Sequence, residues 1–172
     1  MVSLYHTSLV QFGKHSTMTP AIHLLRKHSI NHKVHEYSHD PAAESYGLEA
    51  ASKLCIDQAR VFKTLVVSLD GKSLAVGVVP VSAMLSMKLM AKAAGAKRAE
   101  MASPAEVERA TGYVLGGVSP LGQKKRLKTV IDESAQGFDT IFVSAGRRGL
   151  EIELSPEDLR NLVNGGFAAI SQ

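Results

Sequence analysis

The residues best placed to do chemistry lie between Thr111 and Arg126, in Thr111-Gly-Tyr-Val-Leu-Gly-Gly-Val-Ser-Pro-Leu-Gly-Gln-Lys-Lys-Arg126. Gly116, Gly117 and Gly122 leave the backbone bare enough for a ligand to reach main-chain N–H groups. Pro120 stiffens the middle of the loop by fixing φ. Lys124, Lys125 and Arg126 supply cations where an anionic ligand would lie. A rigid, donor-rich loop beside a cationic cluster suits a phosphate or an ester carbonyl. A second small-residue loop carries Ser144, Gly146, Arg147 and Arg148. There a hydroxyl can donate and two guanidinium groups can grip phosphate, although a plain hairpin turn accounts for the same glycines.

Lys63 is the third chemical signal, set in a strand-like run with Val61, Leu65, Val66 and Val67. Alternation puts it on one face with Leu65 and Val67, opposite Phe62, Thr64 and Val66. A lysine there meets an anion, because burying its charge alone is costly, or it snorkels to water from the strand end. The residues leave both readings open.

Several chemistries are set aside. Gly117 to Gly122 has the glycine spacing of a triphosphate-binding P-loop, but Gln123 replaces its lysine and Lys124 its magnesium-binding hydroxyl. Ser119 has no adjacent base, and no Gly-x-Ser-x-Gly elbow occurs, so nucleophilic serine catalysis finds no support. Cys55 is the one cysteine, which excludes a disulfide framework; its helical spacing with Leu48 and Ala51 suggests a packed core thiol. All seven histidines precede Asp40 without a recognisable zinc spacing, so no metal site is expected from them. His35 and Tyr37 share a strand face, and either can line a pocket.

The elements that must position these groups are legible from capping and periodicity. Thr19-Pro20 opens a helix running to about residue 29. Strand alternation covers 33–38, and a helix reads over 46–54. Strands at 61–69 and 73–79 are joined by Asp70-Gly71, a hairpin signal. Helices follow at 86–94 and 103–111, then strands at 129–131, 140–143 and 149–154, and a closing helix to about Val163. The expected fold is α+β, one domain over 18–172 with a mixed, curled sheet flanked by helices. Residues 1–17 read as a weakly ordered extension outside it.

At 172 residues with formal charge +4 and pI near 9.2, the chain is mildly basic, which permits a polyanionic partner without requiring one. Trp is absent and aromatic residues are few, so a stacking platform for single strands is not expected, nor a DNA partner. No apolar run has the length of a membrane helix, and the start lacks a secretory pattern. The expectation is a cytoplasmic protein without a membrane partner.

Taken in order, Thr19-Pro-Ala-Ile, His35-Glu-Tyr-Ser-His-Asp-Pro41, Phe62-Lys-Thr-Leu-Val, the Thr111–Lys125 loop and Val143-Ser-Ala-Gly-Arg-Arg-Gly149 resemble the YbaK/EbsC family, and within it the Cys-tRNA(Pro) deacylases. The likeness runs from Met18 nearly to the C-terminus. It implies a free-standing editing enzyme that hydrolyses tRNA(Pro) mischarged with cysteine, with aminoacylated tRNA(Pro) as partner and prolyl-tRNA synthetase as a candidate second one. By that resemblance Lys63 contacts the 3′-terminal adenosine or its phosphate, and Gly116 and Pro120 belong to a Gly-x-x-x-Pro loop whose backbone holds the aminoacyl carbonyl. Tyr37, Tyr46, Ser144, Gly146 and Glu151 fall at positions that line the pocket in relatives; Gly117 and Ser119 of the glycine-rich loop are expected to join them in binding substrate, and the cations Lys124, Lys125, Arg126, Arg147 and Arg148 are expected to contact tRNA phosphates. Ala145 stands where the family pattern has glycine, and Glu151 where close relatives carry aspartate. The resemblance also implies that the substrate's own thiol attacks its ester, so that the protein positions and polarises and needs no metal or organic cofactor. A deacylase for another small residue, such as Ala-tRNA(Pro), and a non-catalytic module that docks on tRNA or a synthetase are the competing readings.

Overall fold

Side-chain caps start the helices where the sequence places them. In the computed structural model, which describes residues 18–172, the Thr19 hydroxyl accepts from the Ile22 N–H and begins α1 (Pro20–Lys27), whose Ala21, Ile22 and Leu25 are buried. Ser45, Ser86 and Ser155 cap α2 (Tyr46–Lys53), α3 (Met87–Ala93) and α5 (Pro156–Val163) in the same way. Ser103 and Glu106 form a reciprocal capping box on α4 (Pro104–Thr111). That helix ends on Gly112 in the left-handed region, φ +81°, and hands the chain to the glycine-rich loop.

The strands are β1 (Lys33–Glu36), β2 (Phe62–Leu69), β3 (Ser73–Pro80), β4 (Ala99–Met101), β5 (Lys128–Asp132), β6 (Ile141–Ser144), β7 (Leu150–Leu154) and β8 (Gly166–Ala168). They divide into two sheets, a three-stranded one in the order β1-β7-β6 and a five-stranded one in the order β4-β2-β3-β5-β8. The first is antiparallel; the second is mixed, antiparallel around β2 and parallel around β5. This is the α+β class expected, with the curled sheet resolved into two. The reason is local: β6 touches β2 through a single parallel bridge, Val61 to Phe142, and no ladder continues it.

Both faces of β2 are packed, as its alternation requires. Phe62 and Val66 enter the larger core with α1, β6 and β7. Val67 and Leu69 enter a second core with Met90, Ala91 and Ala94 around α3, and Leu65 packs against it. The first seventeen residues lie outside the described residues, so the expected extension is not addressed. Cys55 is corrected: it is exposed, not packed. The helix stops at Lys53, and Cys55 follows its cap at φ +55°, past the face that buries Ala50 and Ala51. The three-residue strands β4 and β8 were not expected from the sequence, being too short to show a period.

Candidate active site

A cavity of about 310 Å³ opens beside the Val61–Phe142 bridge, where β2 and β6 part. Its wall on one side is β2 from Val61 to Leu65, so Lys63 and Thr64 both line it. Ser144, at the end of β6, lies directly across the ladder from Glu151 of β7, and both line the cavity. Tyr37 follows β1, its N–H bonded to the Gly149 carbonyl at 2.9 Å, and Tyr46 begins α2. Leu115, Gly116 and Val118 close the rim from the glycine-rich loop.

Gly116 fits only as glycine. Its φ is +87°, and a Cβ would stand 2.5 Å from the Arg148 Nε and 2.7 Å from the Tyr46 ring. Arg148 is the clasp: its guanidinium lies 3.8 Å from the Tyr46 ring centroid, and Nη2 donates to the Leu115 carbonyl at 3.2 Å. Gly117 lies so close to the Arg147 backbone that a Cβ would come within 2.9 Å of its Cα. The two small-residue loops singled out in the sequence therefore meet each other at the cavity.

The electrostatics of the cavity follow from burial. Glu151 is 8% exposed, and desolvation pushes its carboxyl up to about 8, so it is mostly protonated at neutral pH. Burial, then the nearby Glu151, raise the Tyr37 hydroxyl to about 12. Desolvation lowers the Lys63 ammonium below its usual value, and it forms no ion pair among the described residues. A half-buried ammonium with no ion-pair partner among the described residues, in a cavity it shares with a largely neutral carboxyl, is a candidate to receive an anionic ligand.

Thr64 was missed by the sequence reading. Its Oγ1 is buried with no hydrogen-bond partner, in a residue that lines the cavity. Alternation alone could not expose this, since a threonine in a strand usually finds a partner. An unpaired buried hydroxyl costs about 1–3 kcal/mol. Thr64→Val, equal in shape, is expected to raise the unfolding free energy of the ligand-free protein by about 1 kcal/mol. A denaturant titration with unchanged or lower stability would show that the hydroxyl is satisfied.

Other expected site residues stand elsewhere. Ser119 is fully buried, and its Oγ accepts from the Leu121 N–H at 3.2 Å. Pro120, Lys124, Lys125 and Arg126 line a separate cleft with Leu24, Leu162 and Val163. Gly146 packs against Tyr113, whose hydroxyl donates to the Leu121 carbonyl at 2.7 Å and braces the glycine-rich loop. The cavity thus brings together Lys63, Gly116, Tyr37, Tyr46, Ser144 and Glu151, while Pro120, Ser119, Gly117 and Gly146 support its loops. Arg147 pairs with Glu36 at 3.3 Å on the outer surface. Of the two histidines nearest the site, His35 bonds Glu153 at 2.9 Å and His39 bonds Glu49 at 2.8 Å. Neither lines the cavity, nor does any cysteine.

The aminoacyl-tRNA editing domain matches residues 40–162 of the chain. Over 156 residues, 89% of this chain and 93% of the relative, the sequence is 40% identical to EbsC of Enterococcus faecalis (strain ATCC 700802 / V583), provisionally named a Cys-tRNA(Pro)/Cys-tRNA(Cys) deacylase. It is 32% identical over 111 residues, 64% of this chain and 70% of the relative, to the uncharacterized protein YwhH of Bacillus subtilis (strain 168). A crystal structure provisionally described as a trans-editing enzyme for prolyl-tRNA synthetase superposes with a TM-score of 0.76, covering 91% of this chain and 99% of that one. At 22% identity that likeness shows a shared fold.

Proposed function

The chain belongs to the aminoacyl-tRNA editing domain family, and from that premise we propose that it is a free-standing deacylase that clears tRNA(Pro) mischarged with cysteine. The observation that carries this reading is the meeting of Lys63 and Gly116 in one cavity that no histidine or cysteine among the described residues lines. Such a cavity can hold and polarise an ester but offers no nucleophile activated by a neighbouring base. The substrate then supplies its own. In the proposed step the cysteinyl sulfur attacks the ester carbonyl carbon, the ribose oxygen leaves with a proton, and water opens the resulting thiolactone to free cysteine. Holding sulfur and carbonyl in line supplies several kcal/mol, on the order of 7 in good intramolecular cases.

Each cavity group has a part in that step. Lys63 holds the 3′-terminal phosphate or adenosine of the acceptor end. The backbone around Gly116 receives the carbonyl oxygen as negative charge develops, and a single such donor is worth about 3 kcal/mol. Tyr37, Ser144 and the protonated Glu151 surround the aminoacyl group with neutral polar atoms, while Tyr46 and Arg148 keep the rim in place. Lys124, Lys125 and Arg126 are contacts for tRNA phosphates outside the cavity. No helix among the described residues is long and apolar enough to cross a membrane, which is compatible with a cytoplasmic place of work.

The test is release of cysteine from charged tRNA(Pro) by the purified protein, beside a panel of other aminoacyl-tRNAs. Hydrolysis confined to cysteinyl esters supports the proposal; tRNA binding with no ester cleavage would favour the docking module.

Glu151 gives a pH prediction with a fixed sign. Its folded value lies above the ordinary carboxylate range, at about 8, so the folded state binds the extra proton. Stability is therefore full below about pH 4.5 and declines as pH rises towards 8. Glu151→Gln removes the charge, so its melting temperature is expected to exceed that of the wild type at pH 8. The gap closes on acidification to pH 4.5. Parallel melting curves across that window would show that the carboxyl is not buried as a neutral acid.

A further inference from the structure

Four exposed cations, Lys88, Lys92, Lys97 and Arg98, surround one shallow groove of about 500 Å³ along α3 and the loop into β4. Its floor is Met87, Ala91, Ala96 and Ala99, and no carboxylate lines it. Lys88 and Lys92 lie one helical turn apart on the same face of α3. None of the four forms an ion pair among the described residues. The acid next to them, Asp70, accepts instead from the N–H groups of Lys97 at 3.1 Å and Arg98 at 2.8 Å. Those bonds fix the loop and leave its side chains free.

The groove sits on the side of the sheet that presents Lys63. Alternation places Lys63 with Leu65, Val67 and Leu69, and the last two pack under α3. The β4 end of the groove pairs with the same strand at Val67–Leu69. From Lys63 to Leu69 is six residues, about 20 Å at roughly 3.3 Å each. Stacked as in a duplex, one strand advances roughly 3.4 Å per phosphate, so about six such steps cover that span.

We propose that the Lys88–Lys92–Lys97–Arg98 groove receives the acceptor-stem backbone of the tRNA whose 3′ end enters the Lys63 cavity. This rests on the deacylase reading and adds to it a second anchor, on a surface separate from Lys124–Arg126. The uncharged groove floor favours a regularly charged backbone over base-edge readout, because no amide or carboxylate lines it to sort bases. The groove therefore supplies affinity for any tRNA, and selection of the amino acid stays with the cavity.

The test replaces all four cations by glutamine and, separately, exchanges lysine for arginine and arginine for lysine at the same positions. Each protein is assayed on full-length cysteinyl-tRNA(Pro) and on a cysteinylated CCA trinucleotide, which cannot reach the groove. The glutamine variant is expected to raise KM for the full tRNA at least about 10-fold and to flatten its salt slope by roughly 3 to 4. Its kcat and its hydrolysis of the trinucleotide stay unchanged, and the charge-preserving variant behaves as wild type. An unchanged KM and salt slope on full-length tRNA overturns the proposal. Equal slowing on both substrates also overturns it, since the change then acts through the fold. Should the wild type cleave neither substrate, the deacylase reading fails. Titration of uncharged tRNA against wild type and glutamine variant still decides the groove.

Discussion

Lys63→Ala will abolish most of the deacylation, lowering kcat/KM by about 10²-fold or more, the scale on which losing the anchor that positions a substrate slows its reaction. Lys63 is half-buried, its ammonium lowered by desolvation, and no carboxylate pairs with it among the described residues. Such a group carries a penalty in the empty protein that only a bound anion offsets. The alanine variant is therefore expected to lose activity while keeping or gaining stability. Lys63→Met, which retains the aliphatic stem, should show the same split. A variant that lost both together would mark Lys63 as a packing residue. Full activity in either would remove it from the site.

Gly116→Ala is expected to be the second most damaging single change. The left-handed backbone there strains any side chain by about 1–3 kcal/mol. The new Cβ, 2.5 Å from the Arg148 Nε and 2.7 Å from the Tyr46 ring, forces one of them outward. Both form the clasp that holds the rim, so the loop shifts with them. Misplacing a reacting group by an ångström reduces rate by about 10²-fold. Assays and melts of Gly116→Ala should fall together, in contrast to Lys63→Ala. Gly137→Ala, at a position with nothing within 4 Å, is the control and should be neutral in both. Wild-type kinetics in Gly116→Ala would mean that the loop tolerates displacement and does not position the ester.

Much of the fold was readable because its signals are local. Thr19-Pro20, Ser103-Pro104-Ala-Glu106 and Asp70-Gly71 each fix a boundary by capping or turn chemistry, and each boundary appears in the structure. What escaped depends on distant partners. β8 pairs with β5 across most of the closing segment, and nothing within three residues announces it. The split into two sheets depends on β6 leaving β2 after a single bridge. At the site, Lys63 and the glycine loop could be chosen by residue type alone. Ser144 and Tyr37 are also marked by residue type and strand face, whereas Glu151 is named only through family resemblance; that Ser144 and Glu151 lie side by side follows from the register of β6 on β7. Thr64 and the groove beside α3 were invisible in sequence, since one is defined by a missing partner and the other by cations from separate turns of chain. Cys55 shows the converse error: helical spacing carries through to a residue two positions past the helix's end.

The most direct test is single-turnover cleavage of tRNA(Pro) charged with cysteine and with alanine, at saturating protein. If the cavity positions the ester and the substrate's sulfur does the attack, cysteine is released at least about 10²-fold faster than alanine, reflecting the intramolecular advantage. Equal rates for the two esters would contradict it, because water would then be the nucleophile for both.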